Sequence, residues 1–132
     1  MLAEGRESTG LTTLTWSTLR QRLGPDADVT IDPANADIVA QTAMLHIAYE
    51  AVTNAVRHGE EPRTLQVRAT GEKLTMSCTN TVVNDTPTTG STFGLQSMAN
   101  RAEAVRGEVS AGASNGVWTV TAAVPISKEG DY

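Results

Sequence analysis

Cysteine is almost missing from this sequence: among 132 residues there is one, Cys78. A single cysteine excludes an intramolecular disulfide and a thiolate metal cluster, and its apolar neighbours indicate a small buried thiol. Uninterrupted apolar runs are also short, so the sequence contains no transmembrane span, and the N-terminus lacks the apolar stretch of a signal peptide. We therefore expect a domain that works in the cytoplasm, unless it is a piece of a larger protein.

Positive charge is scarce as well. The 10 Lys and Arg residues are scattered and outnumbered by 15 Asp and Glu, which gives a net charge of -5. A nucleic-acid partner requires a basic surface, so the composition argues against one. With 39% hydrophobic and 19% charged residues, the chain has the composition of a folded soluble domain, and its length corresponds to one domain over residues 1–132.

Periodicity predicts secondary elements in the order αβαββαββ. The predicted segments are helix 11–23 with N-caps at Ser8 or Thr9 and a stop at Gly24-Pro25, strand 29–31, helix 38–57 ended by Gly59, loop 60–63, strands 65–69 and 74–78, loop 79–92, helix 95–105 ended by Gly107, and strands 108–111 and 117–126. Hairpins dominate this order. We therefore expect a mixed, largely antiparallel sheet that is covered by helices on one face.

The long second helix carries a polar stripe on an otherwise apolar cylinder. Glu50, Asn54 and His58 recur at four-residue spacing with Arg57 beside them, so the four share an arc of roughly 100°. Removing an acid and an amide from water is costly unless a ligand binds them. The stripe is either a solvated helix face or a binding site. For a site, an amide oxygen beside an acid and a cation suits a hydrated Mg²⁺ that carries phosphates.

A second polar segment precedes the third helix. Between Thr89 and Leu95 the sequence places Gly90, Gly94 and hydroxyl residues including Thr92, with a helix start predicted at Leu95. Free backbone N–H groups and the positive end of the helix dipole can receive an anion at such a point, and glycine permits close approach. A flexible loop would look the same by itself. The combination with the polar stripe is what predicts a phosphate site.

Two segments resemble one known family. Residues 45–58 (LHIAYEAVTNAVRH) are similar to the N box of the ATP-binding domain shared by gyrase, Hsp90, histidine kinases and MutL, the GHKL group. Residues 94–107 (GLQSMANRAEAVRG) are similar to the segment after the ATP lid in two-component sensor kinases of the NarL/DesK type. The resemblance runs from about residue 10 to residue 126, which would be the core of the domain.

The resemblance implies a Bergerat fold, an α+β sandwich of two layers with three helices on one face of the sheet, and a pocket for Mg²⁺-ATP. Asn54 would coordinate Mg²⁺, and Glu50 would lie near the metal and the γ-phosphate as the catalytic orienting or acid–base group. Arg57 and His58 would face the phosphates. The remaining contacts would come from the lid and the helix after it: Gly90, Thr92, Gly94 and Leu95.

The activity that this resemblance implies is that of a protein-histidine kinase. The γ-phosphoryl group would pass to a histidine on a separate dimerisation domain, a reaction that needs mostly positioning and charge neutralisation. The partners would be the dimerisation and phosphoacceptor helices and, through them, a response regulator, with no nucleic acid and no direct membrane insertion. The domain would be cytoplasmic, or the soluble part of a membrane-anchored sensor.

The chain departs from the family pattern at two points. Where relatives have Asp-x-Gly-x-Gly, this sequence has Asn80 followed by Thr81 and Val82, so Asn80 would stand for the aspartate that accepts from the adenine amino group. A phosphoacceptor histidine followed by an acid is missing, because Ile47 follows His46. We therefore expect that the isolated chain does not phosphorylate itself.

Three other functions remain open at this point. A regulatory docking module of the same fold, with little or no nucleotide affinity, is favoured by the missing glycines. An anti-sigma serine kinase shares the N box, but the Met98–Arg101 pattern argues against it. An unrelated α/β domain is the third. Titration with ATP, with and without Mg²⁺, distinguishes the kinase from the docking module.

Overall fold

The computed structural model describes residues 14–34, 36–82 and 89–126, with 89–94 described by their backbone alone. Helices and strands follow one another in the order predicted from the sequence. Their bounds are α1 Trp16–Leu23, β1 Asp28–Asp32, α2 Ile38–His58, β2 Glu60–Thr70, β3 Lys73–Thr81, α3 Thr89–Ala104, β4 Glu108–Ser114 and β5 Val117–Pro125. The predicted ends of α2 and of both hairpin turns are therefore confirmed to within a few residues.

The strands form one sheet in the order β1-β2-β3-β5-β4. β1 and β2 pair in parallel, while β2–β3, β3–β5 and β5–β4 are antiparallel pairs. The parallel pair follows from the chain order, because α2 crosses over between β1 and β2 and brings the chain back to the same end of the sheet. The predicted mixed and mostly antiparallel sheet is confirmed.

The helices pack on one face of this sheet. In β3 the even-numbered residues from Leu74 to Asn80 are buried and the odd-numbered ones are partly exposed, as the two-residue period of a strand requires. The buried face of α2 lies against them through one apolar set: Ala40, Met44, Ile47, Ala48, Ala51, Val52 and Ala55. The result is a two-layer α+β sandwich with α2 at its centre.

The opposite face of the sheet is polar. Side chains such as Gln66, Arg68 and Thr121 are exposed there, and hydroxyl groups pair between neighbouring strands. Ser110 Oγ lies 2.9 Å from Thr121 Oγ1 across β4 and β5. This face carries the polar half of each strand's alternation, so the apolar half faces the helices.

α1 begins later than predicted. Thr15 is its N-cap, and a capping box joins Thr15 to Thr18, so the helix covers Trp16–Leu23 rather than 11–23. Ser8, Thr9 and residues 11–13 lie outside the described residues. The predicted stop is confirmed, because Gly24 adopts φ 95° at the C-cap, a conformation that favours glycine.

Two predicted loops do not have their predicted extents in the structure. Residues 60–63 belong to β2, which begins directly after α2, so the loop predicted there is wrong. β3 continues to Thr81 and α3 starts at Thr89, so the long loop predicted over 79–92 is also wrong at both ends. Tertiary pairing causes the first difference, since Glu60 and Arg63 pair with Thr81 and Asn80 across the sheet.

α2 is the longest described helix, with 21 residues between its N-cap Asp37 and its C-cap Gly59. The Asp37 side chain accepts a hydrogen bond from Ala40 N at 3.4 Å, which satisfies one of the free N–H groups of the first turn. None of the helices in the described ranges has the length and hydropathy to cross a membrane.

Candidate functional site

The polar stripe of α2 lies away from the apolar core. Glu50 and Asn54 are half-buried, whereas Arg57 and His58 are exposed in the last turn. The Arg57 cation lies at the C-terminal end of the helix and interacts favourably with its dipole, so this placement also stabilises α2. The stripe spans about 12 Å along the helix axis at a rise of about 1.5 Å per residue.

Asn80 occupies the inward-facing position at the end of β3. Its side chain is only 4% exposed, in a row that otherwise holds Leu74, Met76 and Cys78. The Nδ2 group donates to the carbonyl oxygen of Thr81 at 3.0 Å. This bond orients the carboxamide, so that the acceptor Oδ1 is the end directed away from Thr81.

Gly59 brings the end of α2 against Asn80. A Cβ atom on residue 59 would overlap the Asn80 carboxamide and would lie 2.8 Å from Asn80 Cβ. Glycine is required here by close approach and not by its backbone angles, since φ is -117°. The structure therefore joins two features that are far apart in the sequence, the polar stripe of α2 and the residue at the predicted adenine position.

Arg63, on β2, binds the same end of α2. Its Nε donates to the carbonyl oxygen of Ala55 and its Nη2 to that of Gly59, both at 3.0 Å. Both carbonyl groups lie at the C-terminal end of α2, where Ala55 O also accepts from Gly59 N and Gly59 O lies beyond the last helical residue. Arg63 is not among the predicted site residues, because residues 60–63 are predicted to form a loop. The available signal was an arginine two residues before the alternating run that starts at Leu65.

A cleft of about 590 Å³ runs over α2 between α1 and α3. Glu50 and His46 line its floor, and Arg22 and Arg101 line it from the two flanking helices. The Arg22 guanidinium stacks over the Tyr49 ring at 5.5 Å from its centre, a cation–π contact that holds the arginine beside the cleft. Glu50 therefore faces an open space that also contains positive charge.

The segment predicted to bind phosphate is placed differently from the prediction. Gly90, Thr92 and Gly94 belong to α3, whose first residue is Thr89, so they do not precede the helix as predicted. Their side-chain surroundings lie outside the described residues. Leu95 is half-buried and packs against the hydrophobic core. An anion at the N-terminus of α3 would thus lie near Thr89, one to two turns before Leu95.

The residues present suit a cation that is held mainly by its substrate. The described ranges contain no group of three or more His, Cys, Asp and Glu side chains that could hold a metal by themselves. Mg²⁺ commonly takes one or two protein oxygens and completes its shell with phosphate and water. Asn54, with Glu50 one turn earlier, could supply such a small oxygen set. Next to Asn54 in the sequence, Thr53 Oγ1 is buried with no hydrogen-bond partner among the described residues. This hydroxyl group can therefore still form a hydrogen bond at this part of α2.

At the level of sequence, no protein-family model and no curated protein matches this chain. Its fold, in contrast, is similar to many solved structures. The histidine kinase domain of the Erythrobacter litoralis blue-light activated histidine kinase EL346 superimposes with a TM-score of 0.57 at 16% identity over 83% of this chain. The alignment covers 60% of that kinase domain.

Two further histidine kinases have the same fold. The catalytic domain of the histidine kinase ThkA matches with a TM-score of 0.56 at 15% identity, over 86% of each chain. The Acinetobacter baumannii histidine kinase AdeS matches with a TM-score of 0.60 at 11% identity, over 85% of this chain and 61% of that one. At these identities the likeness concerns the fold: the chain folds as the catalytic domains of histidine kinases do.

Proposed function

We propose that this chain is the ATP-binding catalytic domain of a sensor histidine kinase of the NarL/DesK type. In this role it binds Mg²⁺-ATP between α2, the end of β3 and α3. It transfers the γ-phosphoryl group to a histidine on a separate dimerisation domain. The fold supports the proposal in general, and the residues at the end of α2 support it in particular.

The observation that carries the proposal is that one helix has an amide of its own and contacts a second, buried amide on the sheet. Asn54 lies on the polar stripe of α2, and the buried carboxamide of Asn80 contacts Gly59 at the end of the same helix. A buried amide among apolar side chains is costly unless its hydrogen bonds are used. One amide beside an acid and a cation, and another in an apolar row, fit the phosphate end and the base end of a nucleotide.

Each residue then has one task. Asn54 would hold Mg²⁺ through its side-chain oxygen, where the cation would supply neutralisation of phosphate charge. Glu50 orients the reacting groups at the γ-phosphate or takes up a proton there, while Arg57 and His58 attract the phosphates. Asn80 accepts from the adenine amino group. The start of α3 covers the triphosphate through a separate set: Gly90, Thr92, Gly94 and Leu95.

The phosphate acceptor comes from outside this domain. Neither His46 nor His58 is followed by an acidic residue, and His46 lies on α2 beside the cleft that Glu50 lines. The partners in this proposal are therefore the dimerisation and phosphoacceptor helices of the kinase and, through them, a response regulator. The cleft beside Glu50 carries Arg22 and Arg101, so it is also the point at which an acidic phosphoacceptor helix would find complementary charge.

One observation favours a docking module as the second candidate. After Asn80 the backbone continues in the sheet, and Val82 N donates to Gly116 O at 2.8 Å. The glycines of the family motif are absent at this point, so the backbone approaches a base less freely. A domain of this fold with low nucleotide affinity would act by binding a partner protein.

Calorimetric titration of the chain with ATP separates the two candidates. The kinase proposal requires saturable binding that weakens strongly when Mg²⁺ is removed, because the uncharged Asn54 side chain would contact the triphosphate only through the cation. Titration with ADP and with GTP under the same conditions serves as the control for base and phosphate recognition. No binding at millimolar ATP would contradict the kinase proposal and favour the docking module.

A further inference from the structure

We propose that Arg63 is a positioning residue for nucleotide binding: it fixes the end of α2 against Asn80 and so sets the distance between the two ends of the site. This inference rests on the proposed function. Arg63 belongs to neither segment that resembles a kinase motif, and it has no place in the proposed contacts with ATP. Its role follows from what its guanidinium contacts.

The guanidinium binds two backbone carbonyls of α2 at once. Nε reaches Ala55 O and Nη2 reaches Gly59 O, so the planar fork spans the last turn of the helix. Ala55 O also accepts the Gly59 N–H at 3.1 Å, which closes that turn. The Arg63 side chain is 15% exposed, so these charge-assisted bonds form largely out of water and hold their geometry.

Arg63 and Asn80 are direct partners across β2 and β3. Paired residues in an antiparallel sheet project to the same face, about 5 Å apart at Cβ, and here that face is the helix layer. Gly59 contacts the Asn80 carboxamide, and Arg63 holds Gly59 by its carbonyl. Mutual contacts among Gly59, Arg63 and Asn80 thereby link the end of α2 to β2 and β3.

These contacts set the distance between the end of α2 and β3, and not a distance within α2. Glu50, Asn54, Arg57 and His58 all belong to one helix, so their mutual positions depend on helix geometry. Asn80 belongs to the sheet, and its position relative to those four residues depends on the contacts that hold the end of α2 against β2 and β3. Loss of Arg63 should therefore weaken the binding of ligands that contact both Asn80 and the polar stripe of α2, and spare the binding of ligands that do not contact Asn80.

The ion pair of Arg63 contributes little to this role. Arg63 Nη1 lies 3.8 Å from Glu61 Oε2, and the Glu61 side chain is 61% exposed. Such an exposed and distant pair has a small effect on stability. Glu61→Gln should therefore bind ATP as the parent chain does, which separates the carbonyl bonds of Arg63 from its charge pairing.

The test compares Arg63→Ala with Arg68→Ala. Arg68 lies on the same strand, but its exposed side chain projects to the opposite face of the sheet. Each variant is titrated with Mg²⁺-ATP and with Mg²⁺-tripolyphosphate, at a temperature well below its unfolding midpoint. We expect Arg63→Ala to lose about tenfold in ATP affinity, the equivalent of about one buried hydrogen bond, and less than about twofold in tripolyphosphate affinity. Arg68→Ala should leave both affinities unchanged.

A second variant covers the case in which Arg63→Ala is unfolded at the assay temperature. Arg63→Lys keeps the charge and can donate to one carbonyl, but it lacks the fork that spans two. It should show the same selective loss of ATP affinity to a smaller degree, about threefold. Equal losses for ATP and tripolyphosphate would indicate general damage to the fold and would overturn the positioning role.

The outcomes distinguish this inference from the proposed function. If the parent chain binds ATP while Arg63→Ala binds it as tightly as Arg68→Ala does, the positioning role is wrong and the proposed function stands. If the parent chain itself binds no ATP, the proposed function is wrong and the role of Arg63 in nucleotide binding falls with it. Selective loss of ATP binding in Arg63→Ala alone supports both.

Discussion

Gly59 and the carboxamide of Asn80 are in direct contact, because a Cβ atom on residue 59 would lie 2.8 Å from Asn80 Cβ and closer still to the amide group. This contact fastens the end of the N-box-like helix to the end of β3. It also requires glycine at residue 59, because a Cβ atom there would overlap the Asn80 side chain.

Gly59→Ala should destabilise the fold by about 1–3 kcal/mol, since the added methyl group must displace a buried side chain. It should also weaken ATP binding, because Asn80 is the side chain displaced. Gly112→Ala is the matched control: a Cβ there meets nothing within 4 Å, so its stability should change by less than about 0.5 kcal/mol. Urea unfolding followed by circular dichroism measures both, and equal stabilities would show that Asn80 moves aside freely.

Changes at Asn80 should alter base recognition. Asn80→Asp keeps an oxygen that accepts from the adenine amino group and makes the bond charge-assisted, so ATP should bind more tightly by about 1 kcal/mol and GTP should be rejected more strongly. Asn80→Leu removes the acceptor and should cost at least about tenfold in ATP affinity.

The same two variants test the bond to Thr81. Asn80→Asp loses the donor that binds Thr81 O, so its folded state should be less stable than that of the parent by about 1 kcal/mol, although its ATP affinity rises. Calorimetry with ATP, GTP and ADP, together with thermal unfolding, separates the two effects. Full ATP affinity in Asn80→Leu would show that Asn80 does not recognise the base.

Asn54→Ala should remove the Mg²⁺ dependence of ATP binding, because the proposed side-chain ligand of the cation is lost. Asn54 is half-buried and does not belong to the apolar core, so stability should stay within about 1–2 kcal/mol of the parent. Asn100→Ala removes an exposed amide on α3 and is the matched control. ATP titrations with and without Mg²⁺ measure the effect, and normal Mg²⁺-ATP binding by Asn54→Ala would disprove the assignment.

The isolated chain should incorporate no phosphate from labelled ATP. Transfer requires an acceptor held against the γ-phosphate, and neither histidine lies in an acceptor motif. Addition of the matching phosphoacceptor helices should restore labelling, and Glu50→Gln should reduce it while ATP still binds. Acid-labile label on the chain alone would contradict the prediction and would point to His46 or His58.

The Cys78 thiol should be unreactive in the folded protein. Burial raises its pKa from 9.0 to about 12, so the reactive thiolate is nearly absent near neutral pH. Between about pH 9 and 12 the unfolded chain releases this proton and the folded chain retains it, so folding stability should fall as pH rises through that range.

Cys78→Ala should lack that part of the alkaline decline, which urea unfolding at several pH values would show by comparison with the parent. Iodoacetamide labelling followed by mass spectrometry tests the thiol itself. Rapid labelling of the folded parent at pH 8 would contradict the burial of Cys78.

Local patterns predicted most of the fold. The spacing of apolar residues and Gly59 placed α2 to within one residue at its C-terminal end, and alternation placed both hairpins. These features succeed because helix and strand periods depend on neighbours in the sequence. The predicted start of α1 is wrong because several Ser and Thr residues could serve as its N-cap, and the sequence does not distinguish among them.

Predictions that depended on distant pairing were less accurate. Residues 60–63 contain Pro62 and three charged residues, which is typical of a loop, yet they extend β2 because β3 pairs beside them. The start of α3 also differs from the prediction. The helix begins at Thr89 although it contains Gly90 and Gly94, whose low helix propensity indicated a loop.

The sequence by itself determined the order of the elements, the two-layer class of the fold and the polar stripe of α2, since each depends on residue spacing along the chain. Only the tertiary structure decided that Asn80 is buried, that Gly59 contacts it and that Arg63 ties the two together. Those relationships join a helix to two strands. They depend on strand register and on the close approach of two backbones, and neither leaves a periodic signal in the sequence.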